Sequence, residues 1–168
     1  MSKGLTSAGI KLYYGVETLA GTPAVPTRPT ALTSYTQVLG LKEIPDMNPT
    51  PDTIETTTFD DTVYKTYTQG LKDLGGALSF TFNFTDTFVT AWGDTSEGLI
   101  KAYKDGVDED TPLATWFCIV IPEITEALYF KGEPAELGLS GQSVNSLVEI
   151  TTFIVPTNGP AWLTAPTV

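Results

Sequence analysis

The sequence contains no histidine and one cysteine. The absence of histidine removes the commonest general base, the usual serine and cysteine triads, and most catalytic zinc sites. A single cysteine, Cys118, cannot form an internal disulfide, so a secreted, disulfide-stapled scaffold is not expected. Cys118 lies in an apolar stretch, where burial would raise the thiol pKa and leave it unreactive. We therefore expect no enzyme, and we predict no catalytic, cofactor-binding or metal-binding residue.

Long apolar segments are also missing. The longest apolar run, residues 116–121 (WFCIVI), is far shorter than the roughly 20 residues of a membrane-spanning helix. The first ten residues lack the apolar centre of a signal peptide. We therefore expect a soluble protein with no membrane partner, made in a reducing cytosol.

Basic residues are few. Charged residues make up 17% of the chain, and 9 Lys and Arg face 20 Asp and Glu, which gives a formal charge of -11 and a pI near 4.2. Nucleic-acid-binding proteins neutralise phosphates with clustered Lys and Arg. A chain this acidic should repel free DNA, RNA and anionic membrane surfaces.

The length and composition of the chain favour one β-rich domain. The 168 residues fit a single core, and hydrophobic residues, at 41%, are sufficient to build it. Threonine, a strand-forming residue, occurs 28 times. We predict one domain over residues 1–168, with a mobile N-terminal arm at 1–9, a long loop at 46–76 and an extended C-terminal tail at 157–168.

The clearest predicted strand covers residues 77–85. Its large apolar residues alternate with small polar ones, so one face should be buried and the other wet. Further strands are predicted over residues 10–14, 36–44, 113–121, 127–132 and 144–155. A single helix is predicted over residues 96–104, capped by Asp94 or Thr95 and ended by Gly106. The pattern indicates a β-sandwich or small barrel of six to eight strands with one flanking helix.

Two short motifs are weak signals for a site. Residues 70–75 have the glycine spacing of a phosphate loop, but Gly76 and Ala77 stand where Lys and Ser or Thr are required, and a strand follows. An acidic cluster follows the predicted helix, and it favours a solvated turn over an ion site because its spacing differs from an EF-hand loop. The cluster consists of Asp105, Asp108, Glu109 and Asp110.

The order of segments resembles the major tail tube protein of long-tailed phages with non-contractile tails. The resemblance covers most of residues 10–156. It rests on an N-terminal strand followed by a proline-rich connector, residues 55–61 (ETTTFDD), residues 64–73 (YKTYTQGLKD), residues 79–82 (SFTF), one helix, and a late run from residues 129–132 (YFKG) to 144–151 (VNSLVEIT).

The resemblance implies a structural virion protein whose sheets join between subunits into stacked rings, expected to be hexameric, that form a tube for DNA. The long loop would reach the adjacent ring through Asp60, Asp61, Tyr64, Lys65, Tyr67 and Thr68. Candidates for the face that lines the lumen are Ser79, Thr81, Asn83 and Thr85. Expected partners are other copies, the tape measure protein, and terminator and tail-tip proteins, while DNA passes without specific binding. Assembly would take place in the host cytoplasm.

A β-sandwich binding module is the alternative. In that case the protein would bind carbohydrate or decorate a virion, and Trp92, Trp116 and Tyr103 would contact the ligand.

Overall fold

The computed structural model describes residues 7–167, and the predicted mobile arm at 1–9 lies mostly outside this range. The chain is mainly β, as predicted. The strands are β1 (Lys11–Val16), β2 (Thr18–Ala20), β3 (Val25–Thr27), β4 (Thr36–Val38), β5 (Leu41–Glu43), β6 (Thr50–Glu55), β7 (Tyr67–Asp73), β8 (Leu78–Asn83), β9 (Thr115–Val120), β10 (Glu126–Pro134), β11 (Glu149–Pro156) and β12 (Ala161–Thr164). The helices are α1 (Asp86–Trp92) and α2 (Leu99–Val107), with a short 3-10 helix at Leu32–Ser34.

One curled antiparallel sheet forms the body of the molecule. Its strands follow the order β4-β1-β9-β10-β11-β8-β5, and β12 pairs with the first half of β10, which brings the sheet to eight strands. The six to eight strands predicted for a sandwich or small barrel match this sheet. The remaining strands form two separate hairpins, β2–β3 and β6–β7.

The sheet curls because one continuous segment supplies both of its edges. The sequence predicts a single strand over residues 36–44, but Leu39 and Gly40 divide it into β4 at one edge and β5 at the other. Gly40 has a φ of +84°, a conformation that L-residues adopt at a cost of roughly 1–2 kcal/mol. The two edges are therefore joined by a corner of two residues.

The interior of the curl is the main core. Aromatic side chains from β8, β9 and β10 stack there, with ring centroids of Phe117 and Phe130 5.3 Å apart. Helix α1 closes the interior with Phe88 and Trp92, which pack against Phe82. The apolar face predicted for residues 77–85 is buried at Leu78, Phe80 and Phe82 and partly buried at Phe84.

Two helices flank the sheet where one was predicted. The predicted helix at 96–104 begins and ends later, at Leu99 and Val107, with Gly98 as its N-cap and Asp108 as its C-cap. Gly106, predicted to end it, lies inside the helix. Helix α1 was not predicted, because it has only seven residues and its N-cap, Thr85, falls within the predicted strand.

A thinner second layer covers part of the outer face of the sheet. Residues 28–35 and the end of the chain lie over β1, β9 and β10, where Tyr35 and Tyr129 pack against Cys118. The outer face of β5, β8 and β11 has no such layer among residues 7–167. Within the same range, no helix has the length and apolar character needed to span a lipid bilayer.

Candidate interaction surfaces

The β6–β7 hairpin is the first candidate surface, and residues 50–73 are called the arm here. It lies within the predicted long loop at 46–76, where the sequence left open either an exposed strand or a hairpin arm for residues 53–59. The strands β6 and β7 pair with each other, from Thr50 opposite Asp73 to Glu55 opposite Tyr67, and they join neither the main sheet nor β2–β3.

Threonine side chains hold the outer part of the arm together. Thr56 Oγ1 donates to Thr66 Oγ1 at 3.2 Å, and Thr66 N–H donates to Thr57 Oγ1 at 3.1 Å. At the tip, Asp61 Oδ2 accepts from Thr58 N–H at 2.8 Å. Lys65 Nζ pairs with Glu55 Oε2 at 3.1 Å. These bonds explain the threonine-rich sequence of the arm, since they fix its shape without a core.

Large apolar and aromatic side chains on the arm are uncovered. Tyr64 is 81% exposed and Leu71 is 84% exposed. The other exposed side chains of this kind are Ile54, Phe59, Val63 and Tyr67. A two-stranded hairpin is marginally stable by itself in water. Burial of these side chains against another molecule would therefore stabilise the arm.

The six residues predicted to reach a neighbour all lie on the arm, and the structure gives them different environments. Tyr64 and Tyr67 are exposed aromatic groups, while Asp61 and Lys65 have partners within the arm. Asp60 and Thr68 are exposed, and Thr68 lies opposite Ile54. The sequence analysis did not identify Ile54, Phe59 and Leu71 as contact residues. The spacing of apolar residues along a strand does not distinguish a projecting hairpin from a strand of the main sheet.

The second candidate surface is the uncovered outer face of β5, β8 and β11, called the open face here. Neighbouring strands place polar residues side by side on it, with Thr81 opposite Thr151 and Asn83 opposite Glu149. The members of the open face are Glu43, Ser79, Thr81, Asn83, Glu149, Thr151, Phe153 and Val155. Three of the four predicted lumen candidates, Ser79, Thr81 and Asn83, thus share one surface.

Acidic groups border the open face. Thr81 Oγ1 donates to Glu43 Oε2 at 3.4 Å, and Glu149 forms an ion pair with Lys42 across the strands. Half-exposed Phe153 and Val155 make one corner of the face apolar. Sequence reasoning missed the β11 contribution, since residues 149–155 are rich in apolar groups on both faces and only pairing with β8 reveals which face is buried.

The fourth lumen candidate, Thr85, lies beyond the end of β8. Its side chain accepts from Phe88 N–H at 3.1 Å and caps α1. The Thr85 side chain therefore caps a helix. The alternation of residues along a predicted strand could not indicate this role.

A loop beside the open face completes an incomplete strand edge. Between β10 and β11 the chain exposes Leu139, Val144 and Leu147. From this loop, Ser140 Oγ accepts from Thr151 N–H at 3.0 Å, and Gln142 Nε2 donates to the Glu149 carbonyl at 2.9 Å. These two side chains occupy backbone groups of β11 that β10 does not reach.

A buried carboxylate anchors the covered side of the sheet. Glu17 is 5% exposed, and it accepts from Ala114 N–H at 3.0 Å and from Trp116 Nε1 at 2.9 Å, while Lys131 Nζ lies 2.9 Å away. Burial opposes ionisation of Glu17, but the hydrogen bonds and the ammonium group outweigh it and lower the pKa of the carboxyl. Glu17 is thus held as an anion within the fold.

The next residues to consider are Cys118 and the three aromatic residues of the alternative binding hypothesis. Most of these side chains are buried or packed against other parts of the protein. Burial raises the pKa of Cys118 to about 11, as predicted in direction from its apolar strand. Trp92 is fully buried, and its indole N–H donates to the Ala135 carbonyl at 2.9 Å, so it does not face a ligand. The ring of Trp116 lies beneath Lys131 and Arg28. Tyr103 is half-buried on α2.

The acidic cluster spans the last turn of α2 and the residues that follow it. Asp105 pairs with Lys101 at 2.7 Å one helical turn away, and Asp108 caps the helix. Among residues 7–167, no group of three or more His, Cys, Asp or Glu is arranged to hold a metal ion.

No protein-family model and no curated protein matches the sequence. Among the solved structures that match its fold, two do so over 98% of the chain. A chain from the six-fold symmetrised structure of the anti-feeding prophage baseplate has a TM-score of 0.56 at 9% identity, with 98% of that chain covered. A chain from the structure of the anti-feeding prophage cap, described as a tube-terminating cap, has a TM-score of 0.55 at 10% identity, with 94% of it covered. At this identity the likeness is one of fold.

Proposed function

We propose that this protein is a structural subunit of a phage tail or a tail-like particle, and that copies of it assemble as stacked rings, expected to be hexameric, around a lumen. The observation that carries the proposal is the arm, because its exposed apolar side chains need a neighbouring molecule to cover them. The finer assignment within the proposal is the tube of a non-contractile tail, through which DNA passes.

The fold comparison supports the coarser part of the proposal. Both matching structures are components of a particle described in terms of a baseplate and a cap that terminates a tube, and the match extends over nearly the whole chain. One of them was determined with six-fold symmetry. A subunit of similar fold is suited to the same kind of particle, and hexameric rings are the assembly we infer for it.

The arm is suited to contact between rings. It projects from the body, and the hydrogen bonds within the hairpin limit the conformational entropy that is lost when it docks. Tyr64, Tyr67 and Leu71 then supply contact area, and aromatic groups do so at a low entropy cost. The neighbour that we propose for the arm is another copy of this chain in the adjacent ring.

The open face is suited to line the lumen. It is polar along β8, it carries Glu43 and the Glu149–Lys42 ion pair, and the protein as a whole has a charge of -11. Phosphates of passing DNA would be repelled by such a wall, so the DNA would not bind to it. In this arrangement the tape measure protein occupies the lumen before DNA does, and terminator and tail-tip proteins bind the two ends of the tube.

Electron microscopy of purified protein tests the proposal. With rising concentration, the wild-type chain should form rings or tubes in negative stain. The double variant Tyr67→Ser/Leu71→Ser should remain unassembled, because it removes apolar contact area from the arm. Its circular dichroism and thermal unfolding should stay close to wild type, since both side chains are exposed on a hairpin outside the main sheet.

The matched control makes the same kind of change elsewhere. Val89 and Val107 are exposed apolar residues on α1 and α2, and Val89→Ser/Val107→Ser should assemble like wild type. Normal assembly of the arm variant would overturn the role of the arm. A wild-type chain that stays monomeric at all concentrations would overturn the ring proposal and favour a binding module.

A further inference from the structure

The turn between β11 and β12 lies where β10 changes partners. The first half of β10 pairs with β12, up to Tyr129 opposite Ala161, and the last residues pair with β11, starting at Gly132 opposite Pro156. Lys131 lies between these two sets, and residues 157–160 (TNGP) cross the gap beside it. The position of β12 therefore depends on the geometry of this turn.

Asn158 bridges the gap with its side chain. Thr157 N–H donates to the Lys131 carbonyl at 2.9 Å, and Lys131 N–H donates to Asn158 Oδ1 at 2.6 Å. This donor polarises the carboxamide carbonyl, and it faces the oxygen that would become negative if a nucleophile added to Cγ. The side chain is thus both a structural bridge and an activated amide.

The residue after Asn158 is Gly159, whose backbone nitrogen is a possible nucleophile. Gly159 is exposed and has no side chain, and a Cβ added to it would find no atom within 4 Å. Within residues 7–167, its N–H has no hydrogen-bond acceptor. Neither a side chain nor a hydrogen bond at Gly159 therefore hinders attack of its backbone nitrogen on the neighbouring carboxamide.

The other asparagines lack this combination. Asn48 precedes Pro49, whose nitrogen carries no hydrogen and cannot act as the nucleophile. Asn83 lies in β8, and the following N–H, that of Phe84, donates to the Val148 carbonyl at 3.0 Å. Asn145 lies in an exposed loop, but the residue that follows it, Ser146, has a side chain that hinders approach.

We propose that Asn158 is a site of spontaneous deamidation, with water as the co-reactant. Loss of its proton to base makes the Gly159 amide nitrogen nucleophilic, and it forms a bond to Asn158 Cγ. The carboxamide C–N bond breaks, and ammonia leaves a five-membered succinimide. Water then adds to either ring carbonyl and opens the ring to aspartate or isoaspartate. The net change replaces one amide by one carboxylate.

The two products have different structural consequences. Aspartate keeps an oxygen that accepts from Lys131 N–H, so the bridge survives with one added negative charge. Isoaspartate routes the main chain through the side-chain carboxyl and adds a methylene group between β11 and β12. The second product therefore displaces β12 from its register on β10 and exposes more of Trp162, which lies opposite Leu128.

Mass spectrometry of aged protein tests the proposal. The folded full chain is incubated in mildly acidic and mildly alkaline buffer, digested, and searched for peptides that carry the mass gain of oxygen replacing NH. Isoaspartate is identified by enzymatic methylation with isoaspartyl methyltransferase. Conversion should occur first at Asn158, should be faster in alkaline buffer, and should yield both products.

Two variants make the test specific. Gly159→Ala adds a Cβ that meets no atom within 4 Å, so the fold is kept, and conversion at Asn158 should become several-fold slower. Ser146→Gly should create a second fast site at Asn145. Conversion that starts at Asn83 or Asn145 in the wild-type chain, or that is unchanged in Gly159→Ala, would overturn the proposal. Conversion confined to denatured protein would also overturn it, since the folded turn would then be protective.

Discussion

At the scale of single residues, Glu17 is the group whose ionisation matters most to the fold. Its carboxylate joins β9, β10 and the segment after β1 through Trp116, Ala114 and Lys131. An anion this deeply buried is stable only while all its partners remain. No other described carboxylate combines such burial with bonds to three residues.

Replacement of Glu17 by glutamine should lower the free energy of unfolding at neutral pH by about 1–3 kcal/mol, because the ion pair is lost and an amide N–H₂ faces a buried donor. The pKa of Glu17 is lowered by folding. The extra free energy of unfolding of the wild-type protein is therefore present above the ordinary glutamate pKa. It is lost as pH falls through the lowered pKa of the folded state. Denaturant unfolding of both proteins across this acidic range measures the effect.

Glu136→Gln is the matched control. Glu136 is exposed and pairs with Lys104 at 3.0 Å, and exposed ion pairs contribute about 0–1 kcal/mol. A Glu17→Gln protein as stable as this control at neutral pH would contradict the anchoring role.

The sequence could not have revealed the Glu17 network, since Trp116 lies 99 residues further along the chain. Burial of Cys118 was predictable, because a run of six apolar residues leaves no wet face. The alternating apolar residues of β8 were predictable for the same kind of local reason. Residue roles that depend on pairing between distant strands were not.

At the scale of elements, α1 shows how a local signal can be misassigned. Thr85 continues the strand period of residues 77–85, and the sequence favours it as part of β8. In the structure β8 ends at Asn83, and Thr85 is the N-cap of α1. A short helix with an apolar side is hard to distinguish from the end of a strand, and only the packing of Phe88 and Trp92 on Phe82 decides the outcome.

Thr85→Ala should destabilise the protein by about 1 kcal/mol, because Phe88 N–H loses its acceptor. Assembly at concentrations well above threshold should be unchanged, since the side chain is engaged in the cap. Thr87→Ala, within the exposed first turn of the same helix, is the control and should not destabilise, because alanine is the better helix former. Thermal unfolding compares the two, and equal stability would contradict the capping role.

At the scale of the whole molecule, the shortage of groups that titrate near neutral pH has a measurable result. The chain has no histidine, and burial keeps the Cys118 thiol protonated. Assembly should therefore vary little between about pH 6 and 8, because the side-chain charges do not change there. Added salt should promote assembly, since it screens the repulsion between copies of charge -11.

Sedimentation or light scattering across this pH range and at several salt concentrations checks the expectation. A steep change in assembly within the range would contradict it and would indicate a strongly shifted carboxyl group at a contact between copies. Insensitivity to pH combined with sensitivity to salt is the expected pattern.

The sheet order also determines when the molecule can fold. The strands β4, β1, β8 and β5 come from the first half of the chain, yet they lie on the two flanks, and β9, β10 and β11 from the second half lie between them. During synthesis, β1 cannot pair with β9, and β8 cannot pair with β11, until the later strand has been made. The sheet therefore closes only after nearly the whole chain has emerged. Such distant pairings make folding slow. A nascent chain therefore cannot display the open face in its final form, which would restrict polymerisation to completed subunits.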